Sequence, residues 1–383
     1  MKRLNYIFGF TLILLLASCH VGRFFIWNFS EISDHKKFQN VSVERDPSKL
    51  FKFHEGTVAQ KAAFAKMEIE YWDQKMNIEA FMEKSNSVAF MIIRNDSILY
   101  ENYFNKYDTS SLVNSFSMAK SYTSALLGIA IEEGKVKSVN DPITDYLPEL
   151  IDEGFKKVTI EHVLDMRAGI DYSENYYNPF GNVAVAYYGR NLWRHVKKLK
   201  IGIEPDARFD YISINTQLLG LIVERATGKK LSAYLEEKIW KPLGMEYDAS
   251  WSIDSKKHAT EKAFCCINAR ARDFAKFGRL YLNKGKWNGQ QLVPKAWVDR
   301  STMPTMGTKT SYYSYQWWIN ASINKGELNP NSDYTAQGHL GQFIYVSPDN
   351  NTILIRLGKN NGKVRWMSLL GKIAKRVGSG KIN

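Results

Sequence analysis

A chain of 383 residues with 44% hydrophobic and 24% charged residues is long enough for one large domain or two medium ones, and its composition excludes a disordered chain or a bundle of membrane spans. The net charge of +13 is scattered, its densest stretches, His195 to Lys200 and Lys372 to Arg376, being short and broken by apolar residues. With no zinc-finger spacing, basic-region helix or aromatic RNA-binding signature, no nucleic-acid partner is expected; the charge reads as solvated surface, with anionic lipid or cell-wall polymer as the next candidate.

At the start of the chain, Lys2 and Arg3 form a positive region ahead of the apolar, Leu-rich run Leu4 to Ala17. Leu16-Ala17-Ser18-Cys19 then resembles a bacterial lipobox, in which Cys19 becomes the lipidated first residue. The run is short for a membrane span, so residues 1–19 are expected to be a signal peptide with a lipobox. The alternative is an uncleaved anchor reaching about Gly22, with Phe24, Phe25 and Trp27 at the interface. Either way the chain is expected to be exported to the cell envelope, membrane-anchored, with its body in the periplasm or outside the cell. Residues 20–60 are polar and irregular and read as a tether or a wrapping extension; the domain proper is expected over 61–383.

Val88 to Ile93 and Ile98 to Phe104 are β-rich runs joined by Asn95-Asp96, a hairpin signal. Over Ser111 to Gly134 the apolar residues Met118, Tyr122, Ala125, Leu126, Ile129 and Ala130 recur at helical spacing, with Gly134 as the stop, which predicts a buried helix. Residues 135–260 read as a helical insert, with helices at Ile160 to Arg167, Thr216 to Thr227 and Leu231 to Ile239. Helices are also expected at 270–283 and 294–300. Gln342 to Ser347 and Thr352 to Leu357 form a second hairpin, and Val364 to Val377 an amphipathic closing helix. Strands at both ends with helices between predict an α/β (α+β) architecture: one antiparallel sheet of about five strands flanked by helices, plus a mostly helical subdomain.

Cys265 and Cys266 are adjacent, where a bridge is strained, so no disulfide framework is expected. The seven His residues are dispersed and no HExxH occurs, so neither a metal nor another cofactor is expected.

Ser-x-x-Lys occurs three times, at Ser33/Lys36, Ser117/Lys120 and Ser322/Lys325. Only Ser117 opens a buried apolar helix, where residues i and i+3 share a face and the helix N-terminus favours negative charge on the serine oxygen. A desolvated Lys120 loses its proton more easily and can serve as a base. Downstream, Tyr211 leads into a helix within Phe209-Asp210-Tyr211-Ile212-Ser213-Ile214-Asn215-Thr216, and a phenol near an amine can shuttle a proton. Gly338-His339-Leu340-Gly341-Gln342 opens the last hairpin, where edge-strand amides can hold an oxyanion and Gly341 permits close backbone approach.

The order Ser-x-x-Lys, Tyr-x-Ser, His-x-Gly resembles the penicillin-recognising serine hydrolases over about residues 60 to 380. The likeness is strongest to the 6-aminohexanoate-dimer hydrolase and family VIII-type esterase branch. FDYISINTQLLGLIVERATG over 209–228, Ser173-Glu174-Asn175-Tyr176, ARDFAKFG over 271–278 and Gln316-Trp317-Trp318 resemble that branch's recurring segments. The resemblance implies a β-lactamase/transpeptidase-like fold with Ser117 as nucleophile, Lys120 as general base and Tyr211 as the proton donor to the leaving group. Either Lys120 or Tyr211 takes the serine proton, the two titrating as a coupled pair. It further implies an oxyanion hole from the backbone amides of Ser117 and Gln342, support of Lys120 and the substrate amide by Ser213 and Asn215, and a pocket lined by Tyr176. His339-Leu340-Gly341 stands where class C enzymes have Lys-Thr-Gly, which weakens the case for a substrate carrying a free carboxylate, and Cys265-Cys266 replaces a common Gly-Gly and narrows the cleft. The expected function is therefore a serine hydrolase cleaving a small ester or amide through an acyl-enzyme. A D,D-peptidase or weak β-lactamase and a catalytically silent binding protein are the rivals.

Overall fold

The computed structural model describes residues 20–27, 29–71, 74–303, 312–324 and 327–380. The expected signal peptide and its Cys19 lie outside the described residues, as does Lys325 of the third Ser-x-x-Lys.

Among the described residues the main sheet has eight strands. In spatial order they are Tyr313–Ser314, Trp317–Asn320, Asp333–Gly338, Gln342–Ser347, Thr352–Gly358, Ser87–Arg94, Ser97–Tyr103 and His54–Glu55. All neighbours are antiparallel except the last, which runs parallel to Ser97–Tyr103. Both expected hairpins lie at its centre and pair with each other through Ile353↔Ile93 and Ile355↔Met91. Asn95 and Asp96 turn the first hairpin with φ of 50° and 58°, the two left-handed residues that match strand twist.

Side chains alternate between two cores with a period of two. Ile344, Val346, Ile353, Ile355, Met91 and Ile93 enter one, and Phe343, Tyr345, Leu354, Phe90 and Ile92 the other. The first is covered by the helix Ala271–Leu282 and the second by the closing helix Trp366–Ser379 through Trp366, Leu369, Leu370 and Ile373. Coverage of both faces is why these strands read as apolar runs rather than alternating ones.

Two departures from expectation stand out, the first set by local hydrogen bonding. The helix does not begin at Ser111: Val113–Asn114 is a short strand, Phe116–Met118 a 3-10 turn, and the α-helix runs from Ala119 to Glu132. Polar side chains outcompete the helix there. Asn114 Oδ1 accepts from the Phe116 amide at 2.8 Å, and Ser115 Oγ accepts from the Ile267 amide at 3.0 Å. Second, His339 does not lead into an edge strand, because Asp333–Gly338 and Trp317–Asn320 pair outside Gln342–Ser347. The described part of residues 20–60 packs against the rest of the chain. The helix His20–Trp27 packs on the helix Asn182–Tyr188. Gln39–Val43 joins a four-stranded sheet with Ala249–Ile253, Ile267–Ala269 and Val113–Asn114. That small sheet ends three residues before Ser117, so the wrapping segment supports the turn that presents the serine.

Candidate active site

Ser117 sits on a strand–turn–helix. Phe116, one residue earlier, has φ of +45°, a left-handed conformation costly for a non-glycine residue and held by the surrounding bonds. The Ser115 amide donates to Ile267 O at 2.8 Å, and the Asn114 carboxamide ties down Phe116.

Lys120, 1% exposed, lies one helical turn on. Its Nζ donates to Ser117 Oγ at 3.0 Å, to Ser213 Oγ at 3.2 Å and to the Phe264 carbonyl at 3.0 Å. Three acceptors satisfy the three protons of an ammonium; with one proton gone, the freed lone pair faces Ser117. Burial pulls the Lys120 pKa down to about 8 against the opposing charge of Glu174.

Glu174 organises the far side. It accepts from the Ser213 amide at 2.8 Å, from the Ser213 hydroxyl, and from the Tyr176 hydroxyl at 2.8 Å. Since Ser213 donates its only hydroxyl proton to Glu174, its oxygen is left to accept from Lys120. The result is a connected chain from carboxylate through hydroxyl to amine to nucleophile, with the amine donating to both hydroxyls. Tyr211 lies beside the amine. Its ring lies 5.2 Å from Lys120 Nζ, between the rings of Trp318 at 5.2 Å and Tyr313 at 5.8 Å. Burial pushes the Tyr211 hydroxyl far above the ordinary phenol range, so it is a proton donor rather than a phenolate.

The serine opens into a cavity of about 240 Å³ walled by Phe24, Phe29, Phe116, Tyr176, Tyr187 and Phe264, with Ser213, Cys265 and His339 also on its lining. No Lys, Arg, Asp or Glu side chain lines it among the described residues. His339 stacks on Tyr176 at 5.2 Å and meets Phe116 edge-on at 5.5 Å; burial lowers its basicity, so it stands as a neutral wall.

Cys265 and Cys266 form a disulfide, which corrects the expectation from their adjacency. The backbone accommodates it through a left-handed Cys266 with φ of +75°. Neighbouring groups hold that turn: Trp251 Nε1 donates to Cys265 O at 2.8 Å and the Ser252 amide to Cys266 O at 3.0 Å. The same segment supplies the Phe264 carbonyl to Lys120.

The structure thus brings together Ser117, Lys120, Tyr211, Ser213, Tyr176 and His339. Gly341, with φ of +83°, sets its carbonyl 2.6 Å from Arg356 Nη1. The Gln342 side chain turns away to Gly358, accepting from its amide at 3.0 Å and donating to its carbonyl at 2.7 Å. Asn215 is not in the cluster. Two residues beyond Ser213, it lies on another helix face and donates to Met166 Sδ at 3.4 Å. Ser33/Lys36 lies on the wrapping segment, in and beside the 3-10 turn Asp34–Lys36. Sequence reasoning gave no role to Glu174, whose one signal was its place in the Ser-Glu-Asn-Tyr stretch, nor to the Phe264 carbonyl, which carries no sequence signal.

A buried amine of lowered basicity beside a serine hydroxyl serves acyl transfer, and the class that this fold and site define is the serine hydrolases. The chain belongs to the Beta-lactamase family, whose model matches residues 75–366. It is 27% identical over 293 residues to the 6-aminohexanoate-dimer hydrolase of Paenarthrobacter ureafaciens, covering 70% of this chain and 71% of that protein. Its fold is similar to that of a candidate 6-aminohexanoate-dimer hydrolase from Bacillus anthracis, with a TM-score of 0.74, 22% identity and coverage of 93% of this chain and 95% of that one. A family VIII carboxylesterase shares the fold with a TM-score of 0.61, 18% identity and coverage of 78% and 95%.

Proposed function

We propose that Ser117 attacks a neutral ester or linear amide with an apolar acyl part. The observation that carries this reading is Lys120 Nζ at 3.0 Å from Ser117 Oγ, at the base of an aromatic cavity with no charged side chain on its lining among the described residues. Lys120 takes the serine proton as the Ser117 oxygen bonds the carbonyl carbon. The tetrahedral oxyanion is met by the backbone amides of Ser117 and Gln342. Tyr211 gives its proton to the leaving alcohol or amine as the scissile bond breaks, and takes one back from the Lys120 ammonium, which returns to the neutral amine. Water then attacks the ester on Ser117, losing a proton to the same pair, and the acid leaves with Ser117 restored. Burial supports Lys120 rather than Tyr211 as the base. It lowers the amine to about 8 while raising the phenol. A neutral substrate is supported by the uncharged wall at His339, and the relative named for a linear amide supports amides beside esters.

A fluorophosphonate probe tests the reading. Labelling lost in Ser117→Ala is expected, and absent labelling or labelling unchanged by that substitution returns the chain to a silent binding role. A labelled penicillin that acylates Ser117 and stays bound would favour the D,D-peptidase reading.

Export and lipidation at Cys19 belong to the same proposal, supported by the run Leu4 to Ala17 and the lipobox-like residues after it. Palmitate incorporation that disappears in Cys19→Ala is the check.

A further inference from the structure

The helix His20–Trp27 faces three surroundings at once. Phe24, 6% exposed, turns inward and walls the catalytic cavity. Phe25 and Ile26, the next two residues, are 65% and 58% exposed. At the cavity mouth Phe29 is 50% exposed and Tyr177 79%, their rings 6.2 Å apart, and Phe180 on the same stretch as Tyr177 is 74% exposed. Large aromatic and aliphatic side chains this exposed, on the two segments that supply Phe24, Phe29 and Tyr177 to the cavity, mark an interaction surface.

Beside them the same two packed helices, His20–Trp27 and Asn182–Tyr188, border a second hollow. It is lined by Arg23, Arg190, Arg194 and Lys198 and, among the described residues, by no carboxylate. An exposed aromatic rim next to a cationic hollow is the pattern of a surface seated in the headgroup layer of an anionic bilayer. The chain outside the described residues points the same way. Cys19, the proposed lipidation site, directly precedes this helix, so the bilayer that takes its acyl chains lies close to this face.

We infer that the mouth of the catalytic cavity docks on an anionic phospholipid bilayer, with Phe25, Ile26, Tyr177 and Phe180 among the acyl chains and Arg190, Arg194 and Lys198 on the headgroups. The cavity then opens toward the interface, and its substrates are amphiphilic esters or amides whose acyl part partitions there. The docking rests on attachment through the first 19 residues; the substrate class rests in addition on the hydrolase reading.

Hydrogen exchange on the full-length protein, read by mass spectrometry, separates these claims without using activity. Flotation with pure phosphatidylcholine vesicles reads the attachment alone. The amides of Tyr177 and Phe180 are held only in local turns by the Asn175 and Asn178 side chains, so they exchange fast when uncovered. In phosphatidylcholine vesicles containing phosphatidylglycerol, residues 176–181 are expected to exchange about fivefold slower or more than in detergent micelles. Arg190→Glu, Arg194→Glu and Lys198→Glu together are expected to return that rate to within about twofold of the micelle value, as is the combination Phe25→Ser, Ile26→Ser and Phe180→Ser. Equal exchange in all media for a protein that floats overturns the docking while leaving the attachment intact. Slow exchange that survives charge reversal also overturns it, as does slow exchange in micelles with a dimer mass by light scattering, which would mean that a second copy covers the face.

Discussion

Glu174 grips Ser213 by both its backbone amide and its hydroxyl, and in doing so fixes which way the hydrogen bond between Ser213 and Lys120 runs. The carboxylate is one hydroxyl removed from the amine. Its charge raises the Lys120 pKa while burial lowers it, and burial wins, leaving the amine at about 8.

A pH profile follows with a definite sign. The active Lys120 is the neutral amine, so kcat/KM is expected to rise with pH along a limb near 8 and then level, because Tyr211 keeps its proton well above that range. Glu174→Gln retains an acceptor for Ser213 but removes the charge that raises Lys120. The limb is therefore expected to move to lower pH. A limb that stays or moves up would show that Glu174 is not coupled to the base.

Tyr211→Phe distinguishes the donor role from the base role. If Tyr211 protonates the leaving group, its loss is expected to lower kcat on an alkyl amide by about 10²- to 10⁴-fold. A p-nitrophenyl ester, whose leaving group departs as an anion, should lose far less. Lys120→Ala, which removes the base, is expected to impair both substrates alike. Steady-state rates on the two substrates for the two variants are the measurement.

Gly341 tests the architecture behind the cavity. A Cβ there would stand 1.9 Å from Arg356 Nη1 on a backbone of φ +83°. Arg356 is fully buried and also donates to Ser85 O at 2.8 Å, so it has little room to yield. Gly341→Ala is expected to cost about 2–4 kcal/mol. Gly134→Ala, left-handed at φ +67° with nothing within 4 Å, should cost about 1 kcal/mol. Thermal unfolding of the two variants side by side checks the ordering.

The Cys265–Cys266 bridge predicts a labelling result. Denatured without reductant, neither thiol is expected to react with iodoacetamide; after reduction both should. Because Phe264 between this bridge and Lys120 carries a carbonyl that holds the amine, Cys265→Ala with Cys266→Ala is expected to lower kcat as well as raise KM.

By itself the sequence determined the two central hairpins, the buried helix after Ser117 and the order of the chemical residues. These rest on local signals: β-rich apolar runs, Asn-Asp at a tight turn, and an i to i+3 spacing that any helix turns into contact. That spacing occurs three times in the chain, and the tertiary structure gave one copy its meaning by placing Ser213, Phe264 and Tyr211 around Lys120 from segments distant in the chain. The tertiary structure alone decided that Glu174 controls Ser213, that Asn215 turns to Met166, that the neighbouring cysteines join, and that the wrapping segment supplies Phe24 and Phe29 to the cavity wall. The physical reason is common to all four: burial and hydrogen-bond direction are properties of what packs around a side chain, and its sequence neighbours do not specify them.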